Sequence, residues 1–326
     1  MSVAVVGAGI VGLSTAFTLI ERGADVTVYE RGTPGAAGSG GESRIFRHAH
    51  DDPRLVAVAV EGRELWRRWE SRLGVELVSG DGSVLIGPAV ERRAALLREA
   101  GVPARDVSSH PLLRPCDGIL DEAAGVIRTR AAVYALVGAV GDRRVTEEVV
   151  AVTPAGEVRA GGITSPHERV VVCAGRDTPV LAGDVAVPLQ AFPHARLSFP
   201  LRGDPPERLP CLQDGRFGTY GDPLPGNDHY AVGLGSEPDE TIAYVADHMP
   251  GLAPEPSEER HCWGLELPWG PDGMAVWESG RVVFFAGGNL FKHAPWIGRE
   301  LAAIACGAEV PDLLRPEAQL GRTAGM

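Results

Sequence analysis

Residues 3–30 constrain the fold of this chain more than any other segment. The apolar run Val3 to Val6 predicts a buried strand, which leads through the turn Gly7-Ala8-Gly9-Ile10-Val11-Gly12 into a helical pattern. A second strand, Val26 to Tyr29, ends at the acidic residue Glu30. A strand, a G-x-G-x-x-G turn, a helix and a second strand with an acidic end form the βαβ unit that binds dinucleotides. The sequence therefore predicts an α/β fold with a Rossmann-like domain.

Each glycine of the turn has a predicted role. Gly7 permits the tight turn, Gly9 lets the backbone approach a pyrophosphate, and Gly12 lets the helix pack closely on the strand. The free N–H groups of the helix N-terminus would face the phosphates, and Glu30 would accept hydrogen bonds from a ribose. The residues predicted to bind the dinucleotide here are Gly7, Gly9, Ile10, Val11, Gly12, Glu30 and Arg31. The fingerprint alone allows NAD, NADP or FAD, although Glu30 disfavours a 2′-phosphate and hence NADP.

Composition excludes several classes of protein. The 326 residues suit about two domains. A formal net charge of −12 argues against nucleic acid or an anionic membrane as partner. No apolar run approaches the roughly 18 residues that cross a membrane, and the N-terminal strand does not resemble a signal peptide. The 5 cysteines are scattered without a C-x-x-C pair, so we expect a cytoplasmic protein with no metal site and no disulfide framework.

The pattern of elements indicates two interleaved domains. Helical periodicity appears at about 54–73, 89–100 and 129–140, whereas 101–125 is rich in proline and reads as loop. Strands are expected at 83–86, 144–152, 157–159 and 169–173. Short strands with Pro/Gly turns from Val187 to Val276 predict a mainly antiparallel sheet. The predicted nucleotide-binding domain is discontinuous and comprises 1–78, 140–185 and 276–326, and the predicted substrate domain comprises 79–139 and 186–275.

Four segments together resemble the FAD-dependent amine oxidases of the D-amino-acid-oxidase superfamily, especially the monomeric sarcosine oxidase and N-methyltryptophan oxidase branch. They occur in the order of that family and span nearly the full chain. The first is the fingerprint with Glu30. The others are Glu42-Ser43-Arg44-Ile45-Phe46-Arg47-His48-Ala49, Val171-Val172-Cys173-Ala174-Gly175, and a tail from His261-Cys262-Trp263 through Pro271-Asp272-Gly273 and Ala286-Gly287-Gly288 to Phe291-Lys292.

The resemblance implies FAD as cofactor and assigns roles to particular residues. Arg47 and Lys292 would clamp a substrate carboxylate, as a planar fork and a point charge. Lys292 is the chain's single lysine among 31 basic residues. Tyr220 matches an active-site tyrosine of the family. The residues expected to contact the flavin are Ser43, Arg44, Cys173, Ala174, Gly175, Cys262, Gly287, Gly288, Phe291 and Lys292.

Cys262 occupies the position at which the resembled branch links its flavin through a thioether. The thiolate needs access to the ring and a basic neighbour. His261 adjoins it in sequence, but on a strand it would face the other way. The alternative role for Cys262 is that of a buried apolar residue, the commonest use of a free cysteine.

One departure concerns oxygen. The branch carries a lysine near the flavin that helps activate dioxygen, and laying Tyr220-Gly221-Asp222-Pro223 on the family's segment puts Ala231 at that position. His229 would share its strand face and is the expected replacement base or cation, although an ordinary sheet histidine is equally compatible with the pattern.

The resemblance thus implies an enzyme that transfers a hydride from an amino-acid-like, carboxylate-bearing amine to FAD and gives an imine, with dioxygen as acceptor. Three alternatives stay open on the residues alone. They are an FAD-dependent dehydrogenase or monooxygenase, a flavin-bound protein without activity, and a nicotinamide-dependent dehydrogenase.

Overall fold

The computed structural model describes residues 1–322 of the chain. Its helices are α1 (Ile10–Glu21), α2 (Pro53–Leu73), α3 (Val90–Glu99), α4 (Thr129–Val140), α5 (Thr178–Ala182), α6 (Pro238–His248) and α7 (Ala294–Ala305). Its strands are β1 (Ser2–Val6), β2 (Asp25–Glu30), β3 (Ser43–Phe46), β4 (Ser83–Ile86), β5 (Ala104–Val107), β6 (Gly118–Asp121), β7 (Gly125–Arg128), β8 (Arg144–Thr146), β9 (Val149–Val152), β10 (Glu157–Ala160), β11 (Ile163–Pro166), β12 (Arg169–Val172), β13 (Gln190–Pro200), β14 (Cys211–Asp214), β15 (Thr219–Pro223), β16 (His229–Gly233), β17 (Glu258–Glu266), β18 (Met274–Ser279) and β19 (Val282–Gly287).

A six-stranded sheet in the order β18-β19-β12-β1-β2-β8 forms the nucleotide-binding part. All its pairs are parallel except β18 with β19. Val3 and Val5 of β1 point into a core shared with α1, α2, α4 and α7, and Ala4 and Val6 point into a second core on the other face. Burial on both faces explains the unbroken apolar run of β1, and it confirms the predicted α/β class.

A second sheet has eight strands in the order β17-β13-β16-β15-β14-β4-β6-β5. Its pairs are antiparallel apart from β14 with β4, which agrees with the predicted, mainly antiparallel sheet. One face is apolar: Leu197, Phe199 and Tyr230 pack there against Tyr244 and Val245 of α6. The opposite face carries polar residues such as Arg196 and Asp222, and it contacts β3.

The structure corrects three expectations about elements. The expected loop 101–125 contains β5 and β6, which pair at the sheet edge. The expected strand 144–152 is two strands in different sheets, since β8 joins the parallel sheet and β9 joins the sheet β11-β10-β9. The region predicted as strands alone contains α6, which begins at Pro238 with Asp239 and Glu240 in its first turn, a typical helix start.

The position of α4 bears on the domain division. This helix packs against α1 and contributes Leu136 and Val140 to the core below the parallel sheet. The predicted division counts 79–139 with the inserted part, and the division itself stays a prediction. Among the described residues, no helix is both long and apolar enough to cross a membrane.

Candidate active site

The glycine-rich turn leaves no room for side chains at two positions. Gly7 has a φ of +99°, and a Cβ there would lie 2.6 Å from the carbonyl oxygen of Cys173. A Cβ on Gly12 would lie 1.8 Å from the carbonyl oxygen of Gly7. At Gly9 the nearest atom to such a Cβ is the Ser39 side-chain oxygen, 3.2 Å away. Gly7 and Gly12 therefore bring β1, α1 and the end of β12 into close contact, as the predicted dinucleotide turn requires.

Polar groups converge on this turn. The N–H of Ile10 at the start of α1 donates to Oγ of Ser39 over 2.8 Å. The Glu30 carboxylate accepts from the N–H of Ala8 at 2.8 Å and of Gly32 at 3.0 Å. A helix N-terminus beside a carboxylate at the end of β2 offers donors for phosphates and an acceptor for a ribose, so the site fits the nucleotide half of FAD.

Three other predicted contacts lie close to the turn. Arg31 forms an ion pair with Asp177 at 2.8 Å, so its charge is already partnered. The Cys173 thiol is buried, and burial raises its pKa to about 12, which keeps it protonated and unreactive. Ala174 and Gly175 follow directly after β12, and Gly175 has a φ of +60°.

The tail segment lies at the carboxyl end of β19, on the same edge of the parallel sheet. A Cβ on Gly287 would come within 2.5 Å of the Gly273 carbonyl oxygen, and one on Gly288 within 2.1 Å of the Leu265 carbonyl oxygen. The Phe291 ring is parallel to that of Trp66. Nε1 of Trp66 donates to the Lys292 carbonyl at 2.9 Å, which fixes the turn that carries the lysine.

A first charged group on the polar sheet face consists of Arg44, Arg196 and Asp222, here called the arginine cluster. Nη2 of Arg196 lies 2.6 Å from Oδ1 of Asp222, and its Nη1 donates to the Ser43 carbonyl at 2.7 Å. Within residues 1–322, Arg44 donates only to the carbonyls of Ser43 and Gly40. Burial, followed by the charge of Arg196, lowers the pKa of Arg44 to about 10. Two guanidinium groups thus share one carboxylate, which leaves surplus positive charge.

Tyr220 and His194 lie beside the arginine cluster, and the Tyr220 hydroxyl is hydrogen-bonded to Nε2 of His194. His194 is directly opposite Cys262 in the register of β13 and β17. His261 instead is exposed and pairs with Glu259 at 2.6 Å. The histidine nearest to Cys262 on its own sheet face is therefore His194, which the sequence pattern did not identify.

A second charged group consists of Arg47, Asp272 and Lys292, here called the clamp cluster. Nη2 of Arg47 lies 2.8 Å from Oδ2 of Asp272, and Nζ of Lys292 lies 3.1 Å from its Oδ1. Nδ1 of His50 lies 3.3 Å from Oδ2 of the same carboxylate. The structure thus brings Arg47 and Lys292 together, as expected, but around a carboxylate of the protein.

Burial sets the charges of the clamp cluster. Burial alone would disfavour a charged Asp272, but the cations of Lys292 and Arg47 hold its pKa well below the usual value. Burial lowers the pKa of Lys292 to about 8, although Asp272 opposes the shift. Burial also lowers the pKa of His50 to about 4, and that of His293 well below its usual value, so both are neutral. At neutral pH the clamp cluster carries two cations and one anion.

A glutamine ties the clamp cluster to the second sheet. Nη1 of Arg47 donates to Oε1 of Gln213, and Nε2 of Gln213 donates to Oγ of Ser83 at 3.0 Å. Gln213 is directly opposite Tyr220 in the register of β14 and β15. The clamp cluster, Tyr220 and the arginine cluster therefore follow one another across a single face of the second sheet.

His229 lies apart from these groups. It begins β16, is partly exposed, and faces Asp228 at 3.2 Å. Ala231, two residues on, is buried between Ser198 and Asp222 in the neighbouring strands. The structure does not bring His229 into either cluster, so its assignment as base stays an unsupported prediction.

Sequence reasoning missed several residues of these clusters. Asp272 stands in the Pro271-Asp272-Gly273 motif, which was used for the resemblance without a role for its carboxylate. For His194 and Arg196, the available signal was the alternation of polar and apolar residues from Gln190 to Pro200. The missed residues are His50, His194, Arg196, Gln213, Asp222, Asp272 and His293.

Known proteins share the fold of this chain. Residues 2–304 match the family model described as "DAO: FAD dependent oxidoreductase". No curated protein matches the chain by sequence. Among solved structures, the open form of NikD, described as an unusual amino acid oxidase essential for nikkomycin biosynthesis, is similar with a TM-score of 0.84 at 21% identity, over 100% of this chain and 98% of that one. Glycine oxidase from Geobacillus kaustophilus has a TM-score of 0.81 at 18% identity, over 99% and 98%. L-proline dehydrogenase from P. horikoshii has a TM-score of 0.80 at 18% identity, over 96% of this chain and 95% of that one.

Proposed function

This chain belongs to the DAO family of FAD-dependent oxidoreductases, and we propose that it oxidises the C–N bond of an amino-acid-like, carboxylate-bearing amine to an imine. The observation that carries the proposal is the surplus cation of the clamp cluster. Among residues 1–322, Arg47 and Lys292 have only the Asp272 carboxylate as a direct anionic partner. A buried uncompensated cation is costly, and a monoanionic group of a ligand would neutralise it.

The donors of the clamp cluster indicate how a carboxylate would bind. Arg47 already donates to Gln213 and Asp272. Nζ of Lys292 donates to Asp272 and to the Asn289 carbonyl at 2.8 Å, which leaves the third of its three protons for a ligand. We infer that Lys292 makes the charge-assisted hydrogen bond to the substrate, while Arg47 contributes its charge and fixes Asp272.

The residues that would hold the cofactor lie outside the clamp cluster. When bound, FAD would supply the redox chemistry as acceptor of a hydride from the carbon beside the nitrogen, with dioxygen as the final acceptor. The turn from Gly7 to Gly12 and Glu30 would hold its nucleotide half. Surplus positive charge at Arg44 and Arg196 would stabilise negative charge on the ring. Cys262, half-buried and opposite His194, is the residue proposed to link the flavin covalently.

A second candidate is an amine dehydrogenase that uses an acceptor other than dioxygen. The observation in its favour is Ala231, which aligns with the oxygen-activating lysine of the resembled branch when Tyr220-Gly221-Asp222-Pro223 is laid on that branch's segment. Nζ of Lys292, the chain's single lysine, is held by Asp272 in the clamp cluster. Reoxidation of the reduced protein by air distinguishes the two candidates.

The purified yellow protein tests the proposal directly. It is mixed without oxygen with N-methyl and cyclic amino acids, and the flavin absorbance is followed. We expect bleaching by at least one carboxylate-bearing amine and an imine-derived carbonyl product in equal amount. Rapid return of colour and peroxide on admission of air supports an oxidase, and slow return supports the dehydrogenase. Failure of every amine to bleach the flavin contradicts the proposed function.

A further inference from the structure

Asp272 places a carboxylate of the protein between the two cations that were expected to hold the substrate. Its Oδ2 lies 2.8 Å from Nη2 of Arg47, and its Oδ1 lies 3.1 Å from Nζ of Lys292. If Asp272 withdrew when a ligand entered, the ligand would meet two uncompensated cations. If Asp272 stays, the ligand meets only one. The freedom of Asp272 to move therefore determines which ligand charge the site accepts.

The backbone of the turn around Asp272 is held from behind by residues near the end of the described chain. The Leu320 carbonyl accepts from Nε1 of Trp269 at 2.9 Å and from the N–H of Met274 at 3.2 Å. A Cβ on Gly321 would lie 2.2 Å from the carbonyl oxygen of Asp272, so the two backbones are in direct contact. Close packing of this kind leaves the turn no space to withdraw on that side.

The same segment is tied to the part of the chain that carries Arg47. The N–H of Gly321 donates to Oδ2 of Asp52 at 2.9 Å. Asp52 caps the N-terminus of α2, five residues after Arg47. The segments that carry Arg47 and Asp272 are therefore fixed to each other through Gly321, and the Asp272 carboxylate is a permanent part of the site.

The other titratable groups beside the clamp cluster add no surplus charge. Asp51 and Arg93 form an ion pair at 2.7 Å, and Arg92, the second partner of Asp51, is exposed to screening by solvent. His50 and His293 are uncharged at pH 7, because burial holds the pKa of each ring below its usual value. Nε2 of His50 and both ring nitrogens of His293 lack a hydrogen-bond partner in the described part of the chain. They can offer hydrogen bonds to a ligand but no charge.

The clamp cluster therefore presents one net positive charge to any ligand. A ligand with one carboxylate neutralises this charge. A ligand with two neighbouring carboxylates leaves a buried net negative charge, which is costly, and its second carboxylate is also repelled by Asp272.

We propose that Asp272 restricts the site to amines that carry a single carboxylate and excludes those whose second carboxylate lies close to the first. N-methylasparagine has the permitted charge, and N-methylaspartate, which has the same shape, does not. The inference rests on the proposed function and narrows its substrate class. Asp272 is thus a specificity-determining residue that acts through its charge.

Two ligands of equal size that differ by one charge test the inference. Malonate is mostly a dianion at pH 7, and its monoamide, malonamate, is a monoanion; neither is an amine. Each is titrated into the holoprotein at pH 7, and the heat of binding gives Kd. We expect malonamate to bind at least about ten-fold more tightly than malonate. Equal or tighter binding of malonate, or no binding of either ligand, overturns the inference.

A variant assigns the selectivity to Asp272. Asp272→Asn keeps the shape of the side chain and raises the charge of the site by one, so malonate should bind at least as tightly as malonamate. Asp228→Asn removes an exposed carboxylate that faces His229, and this matched control should keep the preference for malonamate. The same preference in Asp272→Asn overturns the inference. If Asp272→Asn does not fold, the two affinities of the unchanged protein still decide.

These affinities do not depend on turnover. If no amine bleaches the flavin, the proposed function fails, whereas the selectivity of the clamp cluster is judged from malonate and malonamate alone.

Discussion

Replacing Lys292 with methionine tests the clamp cluster because it removes one charge and little volume. The remaining Arg47 and Asp272 balance each other, so a ligand carboxylate meets no surplus cation. Two unit charges about 4 Å apart interact by about 4 kcal/mol at an effective dielectric constant near 20, and a charge-assisted hydrogen bond contributes about 1.5–3 kcal/mol. We therefore expect Lys292→Met to weaken carboxylate binding by about 2–4 kcal/mol, or about 30- to 1000-fold in Kd.

The assay is a titration of the holoprotein with acetate or benzoate, which cannot be oxidised as amines, followed by the flavin absorbance. The pKa of Lys292 is about 8 in the free protein. Only the protonated lysine attracts a carboxylate, so affinity should be highest below pH 8 and fall as the pH rises above it. Lys292→Met should lack this fall, and Arg67→Met, at an exposed ion pair with Glu64, should bind like the unchanged protein. Equal affinity in the unchanged protein and Lys292→Met, or no fall in the unchanged protein between pH 7 and 9.5, refutes the reasoning.

Other predictions concern the cofactor and the fold. Cys262→Ala should release its flavin on acid precipitation while the unchanged protein keeps it in the pellet; release from both contradicts the linkage. Gly12→Ala should abolish FAD retention, since its Cβ would lie 1.8 Å from a backbone oxygen, whereas Gly138→Ala on the exposed side of α4 meets no atom within 4 Å and should retain FAD; the flavin content of purified protein decides, and equal retention is evidence against the close packing. Asp222→Asn leaves the buried Arg196 unpaired and should lower the free energy of unfolding by about 3–5 kcal/mol; urea unfolding checks this, and a change below about 1 kcal/mol contradicts the pairing.

The βαβ unit was predictable because its signals are local. Each glycine, the strand before the turn and Glu30 lie within 28 neighbouring residues of sequence, and the structure places them as the pattern requires. The resemblance also brought Arg47 and Lys292 to one site, although they are far apart in sequence. The strand β5 was missed because an edge strand needs little apolar patterning, and β6 was missed because its four residues are too few to show a clear alternation.

The internal partners of the site were not predictable in the same way. Asp272 meets Arg47 through a contact between residues 225 positions apart, and nothing in the motif around it shows whether its carboxylate faces solvent or a cation. Strand alternation placed His229 on the face of Ala231, but it carries no information about which strand lies beside which. The order β17-β13-β16-β15 is what brings His194, rather than His229, to Tyr220.

The central claim is that the protein oxidises an amine held by its carboxylate. The most direct measurement is the rate of anaerobic flavin bleaching at pH 7, where Lys292 keeps its charge. Two matched compounds are compared, an N-methyl amino acid that bleaches the flavin and its primary amide, and each rate is divided by the fraction of that compound's amine that is neutral. The account predicts that the carboxylate form bleaches at least about 30-fold more efficiently, and that Lys292→Met removes this preference. Equal bleaching by the two compounds would contradict it.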